Sequence, residues 1–155
     1  MNTIVVITIL LLLSAFFSGM EIAFVSSNKL LFEIGRKKKR LTSKVLSIFY
    51  KNSEQYITTM LVGNNIVLVL YSLKMAELLE PYLKMLVESN FIVTLLQTII
   101  ATILVLFTGE FLPKTIFKTN PNLWLTFFAL PLLFFYADSL HLNLVSAHVW
   151  LDLFL

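Results

Sequence analysis

Three long uncharged runs restrict what this chain can become. Residues 3–20 make a run of 18, residues 55–73 a run of 19 and residues 89–109 a run of 21, and none contains Asp, Glu, Lys or Arg. About 20 mainly apolar residues in a helix cross the ~30 Å of bilayer hydrocarbon. The 155-residue chain is 58% hydrophobic and only 14% charged, with a mean hydropathy of +0.86. A water-soluble domain of this size would leave much of that apolar surface exposed, whereas lipid requires it. The expected fold is an all-α integral membrane domain with three transmembrane helices over about residues 3–25, 55–74 and 89–112.

Charge sets the expected topology. Net charge is +3, and eight of the twelve basic residues fall between Lys29 and Lys51. Basic loops stay cytoplasmic, so residues 26–54 are expected inside and the N-terminus outside. A cleaved signal peptide would want Lys or Arg before the first run, but here the positive charges follow it. Residues 26–54 read as a cytoplasmic hairpin of two short helices. Leu30, Leu31 and Ile34 mark one and Val45, Leu46 and Phe49 the other, with Gly35 and the run Arg36–Arg40 at the turn. That run has no interleaved aromatics, so anionic lipid is its expected contact and nucleic acid is not. Residues 74–88 are slightly acidic and contain Pro81, as suits an external connection. Lys114 and Lys118 then mark a return to the cytoplasmic side. Residues 119–137 are again uncharged but broken by Asn120-Pro121-Asn122 and Pro131. They read either as a fourth span or as a juxtamembrane belt with Trp124 at headgroup depth. The domain is placed at residues 1–138, with 139–155 an unassigned apolar tail.

Chemistry is confined to a few polar residues. With no Cys, and His141 and His148 outside the first three runs, thiolate and tetrahedral zinc sites are excluded. A Ser nucleophile would lack its base, so the chain is not expected to be an enzyme. Gly109-Glu110-Phe111-Leu112-Pro113-Lys114 closes the third run by placing a carboxylate where hydrocarbon is expected. Such a charge costs roughly 2.5–3.5 kcal/mol at a helix centre and marks a functional site. Pro113 lacks an N–H, which predicts a bent or broken helix with free carbonyls beside that carboxylate. Ser14, Ser18 and Glu21 share one face of the first helix. Thr58, Asn65 and Ser72 repeat every seven in the second, beside Gly63 and Asn64, and Thr94, Thr98 and Thr102 step by four in the third. The threonines suit helix packing in lipid. The carboxylates, amides, hydroxyls and carbonyls freed at Gly19, Gly109 and Pro113 are hard oxygen donors, suited to Mg2+, Ca2+, Na+ or Mn2+. A membrane anchor or assembly module, with its polar residues only locking helices together, is the alternative.

Three segments, Phe17-Ser18-Gly19-Met20-Glu21-Ile22-Ala23, Leu61-Val62-Gly63-Asn64-Asn65-Ile66 and Gly109-Glu110-Phe111-Leu112-Pro113-Lys114-Thr115, occur in this order. Together they resemble the signatures of the CNNM/CorC transmembrane domain. The resemblance covers roughly residues 4–125 and implies magnesium transport, commonly as efflux from a homodimer in the plasma or inner membrane, with Na+ as coupling ion. Some bacterial relatives carry hemolysin names, but no amphipathic strand pattern for a barrel is present here. Carried onto this chain, the resemblance makes Ser18, Asn64 or Asn65, the Gly109 carbonyl and Glu110 the ion-site candidates. Glu21 contributes to the cavity or to helix packing. Met20 stands where the family often has a small residue, which narrows the cavity. The resemblance favours a belt over a fourth span for 119–136. The family's nucleotide-binding CBS domains are missing from this sequence, so ATP is not an expected ligand.

Overall fold

The structure, a computed structural model, describes residues 2–28 and 41–133. The first half of the expected hairpin, with the run Arg36–Arg40, and the tail that holds His141 and His148 lie outside the described residues. All regular structure within them is helical. In chain order the elements are α1 (Thr3–Ser26), α2 (Leu41–Lys51), α3 (Ser53–Leu86), α4 (Asn90–Val105), a π-helical turn (Leu106–Phe111), α5 (Leu112–Thr119) and α6 (Pro121–Leu133).

Three helices are long and apolar enough to cross a membrane: Thr3–Ser26, Ser53–Leu86, and the continuous helix Asn90–Thr119 formed by α4, the π turn and α5. Their outer faces are as apolar as their packed ones. Leu12, Ile66, Val69 and Ile103 are each 57–66% exposed, which suits a helix facing lipid. The second helix is longer than expected. Pro81 was anticipated in a connection, yet α3 runs through it to Leu86. Lys74–Glu77 and Glu80–Lys84 ion pairs one turn apart stitch this last stretch. The described part of α6, Pro121–Leu133, is an apolar helix of 13 residues that covers about 20 Å.

Helix α1 is the hub, packing against α3, the π turn and α5, while α4 and α2 pack on α3. Glycines make the hub contacts close. A Cβ on Gly63 would sit 2.8 Å from the Phe17 ring, one on Gly19 would sit 2.7 Å from the Phe117 ring, and one on Gly109 would sit 3.1 Å from Ser14 Oγ. Small residues permit such approach where lipid gives helices no hydrophobic reason to associate. At one end of the hub, Phe24 stacks between Tyr50 and Tyr56, at centroid distances of 5.1 and 4.2 Å. Ser27 and Tyr50 share a 2.6 Å hydrogen bond, and Val45, Leu46 and Phe49 of α2 are buried against the same cluster. Burial pushes the Tyr50 phenol above its ordinary value, with the Ser27 hydrogen bond opposing. Helix α6 folds back through stacked Phe117, Trp124 and Phe128, and Phe128 meets Phe16 of α1 edge-on at 5.2 Å.

Gly63→Val should destabilise the chain by about 1–3 kcal/mol, because Phe17 must leave its site. Leu73→Ala, on the exposed face of the same helix, should fall within about 0.5 kcal/mol. Thermal unfolding in detergent checks both.

Candidate metal centre

Hydroxyl groups in apolar helices normally return their proton to their own backbone. Thr8, Thr58, Thr59, Thr94, Thr98, Thr108 and Thr115 each donate to the carbonyl four residues earlier, and Ser72 to the one three residues earlier. Ser14 and Ser18 depart from that rule. Ser14, wholly buried in α1, donates across to Asn64 Oδ1 of α3 at 2.9 Å. Ser18 is one turn further along α1 and also wholly buried, and its Oγ has no hydrogen-bond partner among the described residues. An unpaired hydroxyl in a dry interior costs about 1–3 kcal/mol, so it calls for a physical reason.

The third contributor is the widened turn. From Leu106 to Phe111 the helix is π-helical, and the Leu112 N–H bonds back five residues to the Phe107 carbonyl. Such turns are uncommon and recur at functional sites. The helix is therefore widened ahead of Pro113 and is not broken by it. In an ordinary α register the Gly109 carbonyl would take its hydrogen bond from residue 113, and Pro113 has no N–H to give. Gly109 is buried, with Ser14 Oγ lying 3.1 Å from where its Cβ would be. Ser14, Asn64 and Gly109 thus meet where α1, α3 and the π turn converge.

Glu110 follows Gly109 in the turn and is half-buried, as is Glu21 in α1. The ion pairs among the described residues are Lys74–Glu77 and Lys84–Glu80, so neither Glu110 nor Glu21 is neutralised in one. The described residues hold no cluster of three His, Cys, Asp or Glu, so a cation here would be met mainly by neutral oxygens. Carboxylate, amide, hydroxyl and carbonyl oxygens form a donor set for a hard cation.

The amide pair divides. Asn64 is buried in the convergence, whereas Asn65, turned about 100° from it, is exposed on the face of α3 that also carries Val69. Gly19 contributes no helix break, since α1 is continuous from Thr3 to Ser26, and the neighbouring Met20 carbonyl accepts from Tyr56 Oη at 3.3 Å. Met20 is itself fully buried in the core. Sequence reasoning placed Ser14 on the right face but did not count it as a site residue. Its four-residue step to Ser18 was the available signal.

A family model described as the Cyclin M transmembrane N-terminal domain matches residues 5–139. The UPF0053 protein MG146 homolog of Mycoplasma pneumoniae is 33% identical over 141 residues, covering 86% of this chain and 32% of that protein. The UPF0053 protein MG146 of Mycoplasma genitalium is 26% identical over 140 residues, with the same coverage of both chains. The chain thus spans 32% of the length of these curated relatives.

Asn64→Leu removes the acceptor for a buried hydroxyl and should cost about 1–3 kcal/mol. Asn65→Leu should stay within about 0.5 kcal/mol. Combining Asn64→Leu with Ser14→Ala should cost clearly less than the two single losses added together, as a double-mutant cycle read by thermal unfolding would reveal.

Proposed function

Because the chain belongs to the CNNM transmembrane-domain family, which its match over residues 5–139 establishes, we propose that this multi-pass membrane domain carries Mg2+ across the bilayer, in the direction of efflux. The observation that carries this reading is the Ser18 hydroxyl, wholly buried and without a partner, one turn from the Ser14–Asn64 hydrogen bond. A cation accepted from the cytoplasmic side would supply what that oxygen lacks. Glu110 is the charged ligand in this proposal, and Ser18, Asn64 and the Gly109 carbonyl are neutral ligands. Glu21 adds negative potential along the approach, and Asn65 is reserved for a structural role on the outer face of α3.

The donor set favours release as well as capture. One carboxylate among neutral oxygens holds a divalent ion loosely, and a transported ion must leave. Mg2+ gives up its water reluctantly, so it enters the site dehydrated or only partly dehydrated, with retained water completing its shell. The π turn is the natural place for motion, since a local return to α-helical winding would shift Gly109 and Glu110 relative to α1. Opening to one side at a time would follow from that change. Na+ as the coupling ion, a second copy of the chain as partner, and a plasma or inner membrane with the N-terminus outside belong to the same proposal. No chemical step on a substrate is part of it.

At a Mg2+ concentration 100 times Kd, binding adds about 2.7 kcal/mol of stability. In a chain of this size that corresponds to a rise of roughly 5–10 °C in Tm. Glu110→Ala should abolish the Mg2+-dependent rise in Tm and the Mg2+ flux in liposomes while leaving the metal-free Tm within a few degrees. A Glu110→Ala chain that kept both responses would exclude this site.

A further inference from the structure

Beside the metal centre lies a groove of about 500 Å3 lined by Ile22, Phe111, Lys114, Thr115, Lys118 and Thr119. Its two lysines are one helical turn apart on α5. Neither is in an ion pair among the described residues. In an unbroken α-helix Glu110 would face Lys114 at the favourable i, i+4 spacing. The π turn falls across that register, and the pair does not form. The Thr115 and Thr119 hydroxyls donate to the Phe111 and Ile116 carbonyls, so the ammonium groups are the groove's free donors. Ile22 of α1 lines the groove with them, as does Phe111, which precedes Lys114 by one turn on the same helix and is 61% exposed.

We propose that this groove binds one anionic phospholipid, its phosphate between Lys114 and Lys118 and its glycerol and acyl segment against Ile22 and Phe111. Charge complementarity selects an anion, since two cations without carboxylate partners share one wall. The apolar wall selects a lipid, because a free phosphate would gain nothing from Phe111 and Ile22. The two lysines occupy the end of the membrane-crossing helix Asn90–Thr119, where a headgroup would lie. The leaflet in question, the inner one, rests on the topology proposed above, whereas the binding does not.

The position gives the lipid a consequence. Ile22 and Phe111 directly follow Glu21 and Glu110 in sequence. Two bare ammonium groups here raise the potential along the approach to those carboxylates and oppose an entering divalent cation. A lipid phosphate would neutralise them.

Native mass spectrometry of the purified chain with phosphatidylglycerol or phosphatidylcholine tests the proposal. One phosphatidylglycerol should be retained per chain in preference to phosphatidylcholine. Each lysine should contribute on the order of fivefold, so Lys114→Gln with Lys118→Gln should weaken retention more than tenfold. Lys114→Arg with Lys118→Arg should restore it, which separates charge from folding. Lys74→Gln with Lys84→Gln, at the paired lysines of α3, should leave retention unchanged. The Glu110→Ala chain should also keep the lipid, so failure of the metal proposal would not be mistaken for failure of this one. The proposal is overturned if the glutamine pair retains phosphatidylglycerol as the unaltered chain does. It is equally overturned if the α3 control loses the lipid to the same extent, or if inorganic phosphate displaces it, which would mark a free-anion site.

Discussion

Helices in hydrocarbon gain nothing from hiding apolar surface, so what holds α1 among its neighbours must be close contact and hydrogen bonding. Each of its three main contacts is made where a side chain is missing. Gly63 admits the Phe17 ring, Gly109 admits the Ser14 hydroxyl, and Gly19 admits the Phe117 ring. These approaches bring backbone to within side-chain reach of α1. Dispersion is worth only about 0.1–0.2 kcal/mol per atom pair, but it accumulates quickly at such separations. The same closeness makes the polar groups effective. A serine and an asparagine on helices a normal distance apart would each turn to its own backbone or to water, and here they bond to each other at 2.9 Å.

The widened turn shows how the carboxylate is accommodated. A Pro in mid-helix removes a backbone hydrogen bond and crowds the carbonyl four residues earlier. The chain widens into a π turn just before Pro113, and the residues in that turn include Gly109 and Glu110. Pro113 offers the Gly109 carbonyl no N–H, and the widened turn takes Glu110 out of register with Lys114. One local irregularity therefore sets Gly109, Glu110 and two lysines next to one another, with none of the three charges in an ion pair among the described residues.

How much of this was legible in the sequence depended on the range of the interaction involved. The three crossings were clear because an uncharged run near 20 residues has one physical use. The second helix of the hairpin was marked by Val45, Leu46 and Phe49, and all three are buried. Pro81 misled, because a proline about two turns past an apolar run looks like a connection, whereas the Lys74–Glu77 and Glu80–Lys84 pairs, the Gln97 hydrogen bond to the Ala76 carbonyl and the burial of Leu83 accompany the continuation of α3. At Pro113 the sequence announced a disturbance but could not say whether the helix would kink, break or widen. The choice between Asn64 and Asn65 was also beyond it. Adjacent residues on a helix point about 100° apart, and no pattern within α3 reveals which of them faces α1. Gly19 signalled a break by composition, and its function proved to be space for a ring 98 positions away (Phe117).

The arrangement of charge carries the last step. A divalent cation in a spanning helix bundle needs negative potential, yet a carboxylate sealed at the membrane centre would be too costly to leave ionised without a partner. Glu110 and Glu21 are half-buried, while the residues brought deepest, Ser14, Ser18 and Asn64, are neutral. That division puts the two carboxylates nearer the surface and the neutral oxygens deeper, the order that a cation entering the proposed site would meet them in. It also keeps either end state from becoming a trap. Without a cation, the deep site bears the modest cost of an unpaired hydroxyl, and in the proposal above a single carboxylate and a few dipoles would bind the ion loosely enough to let go.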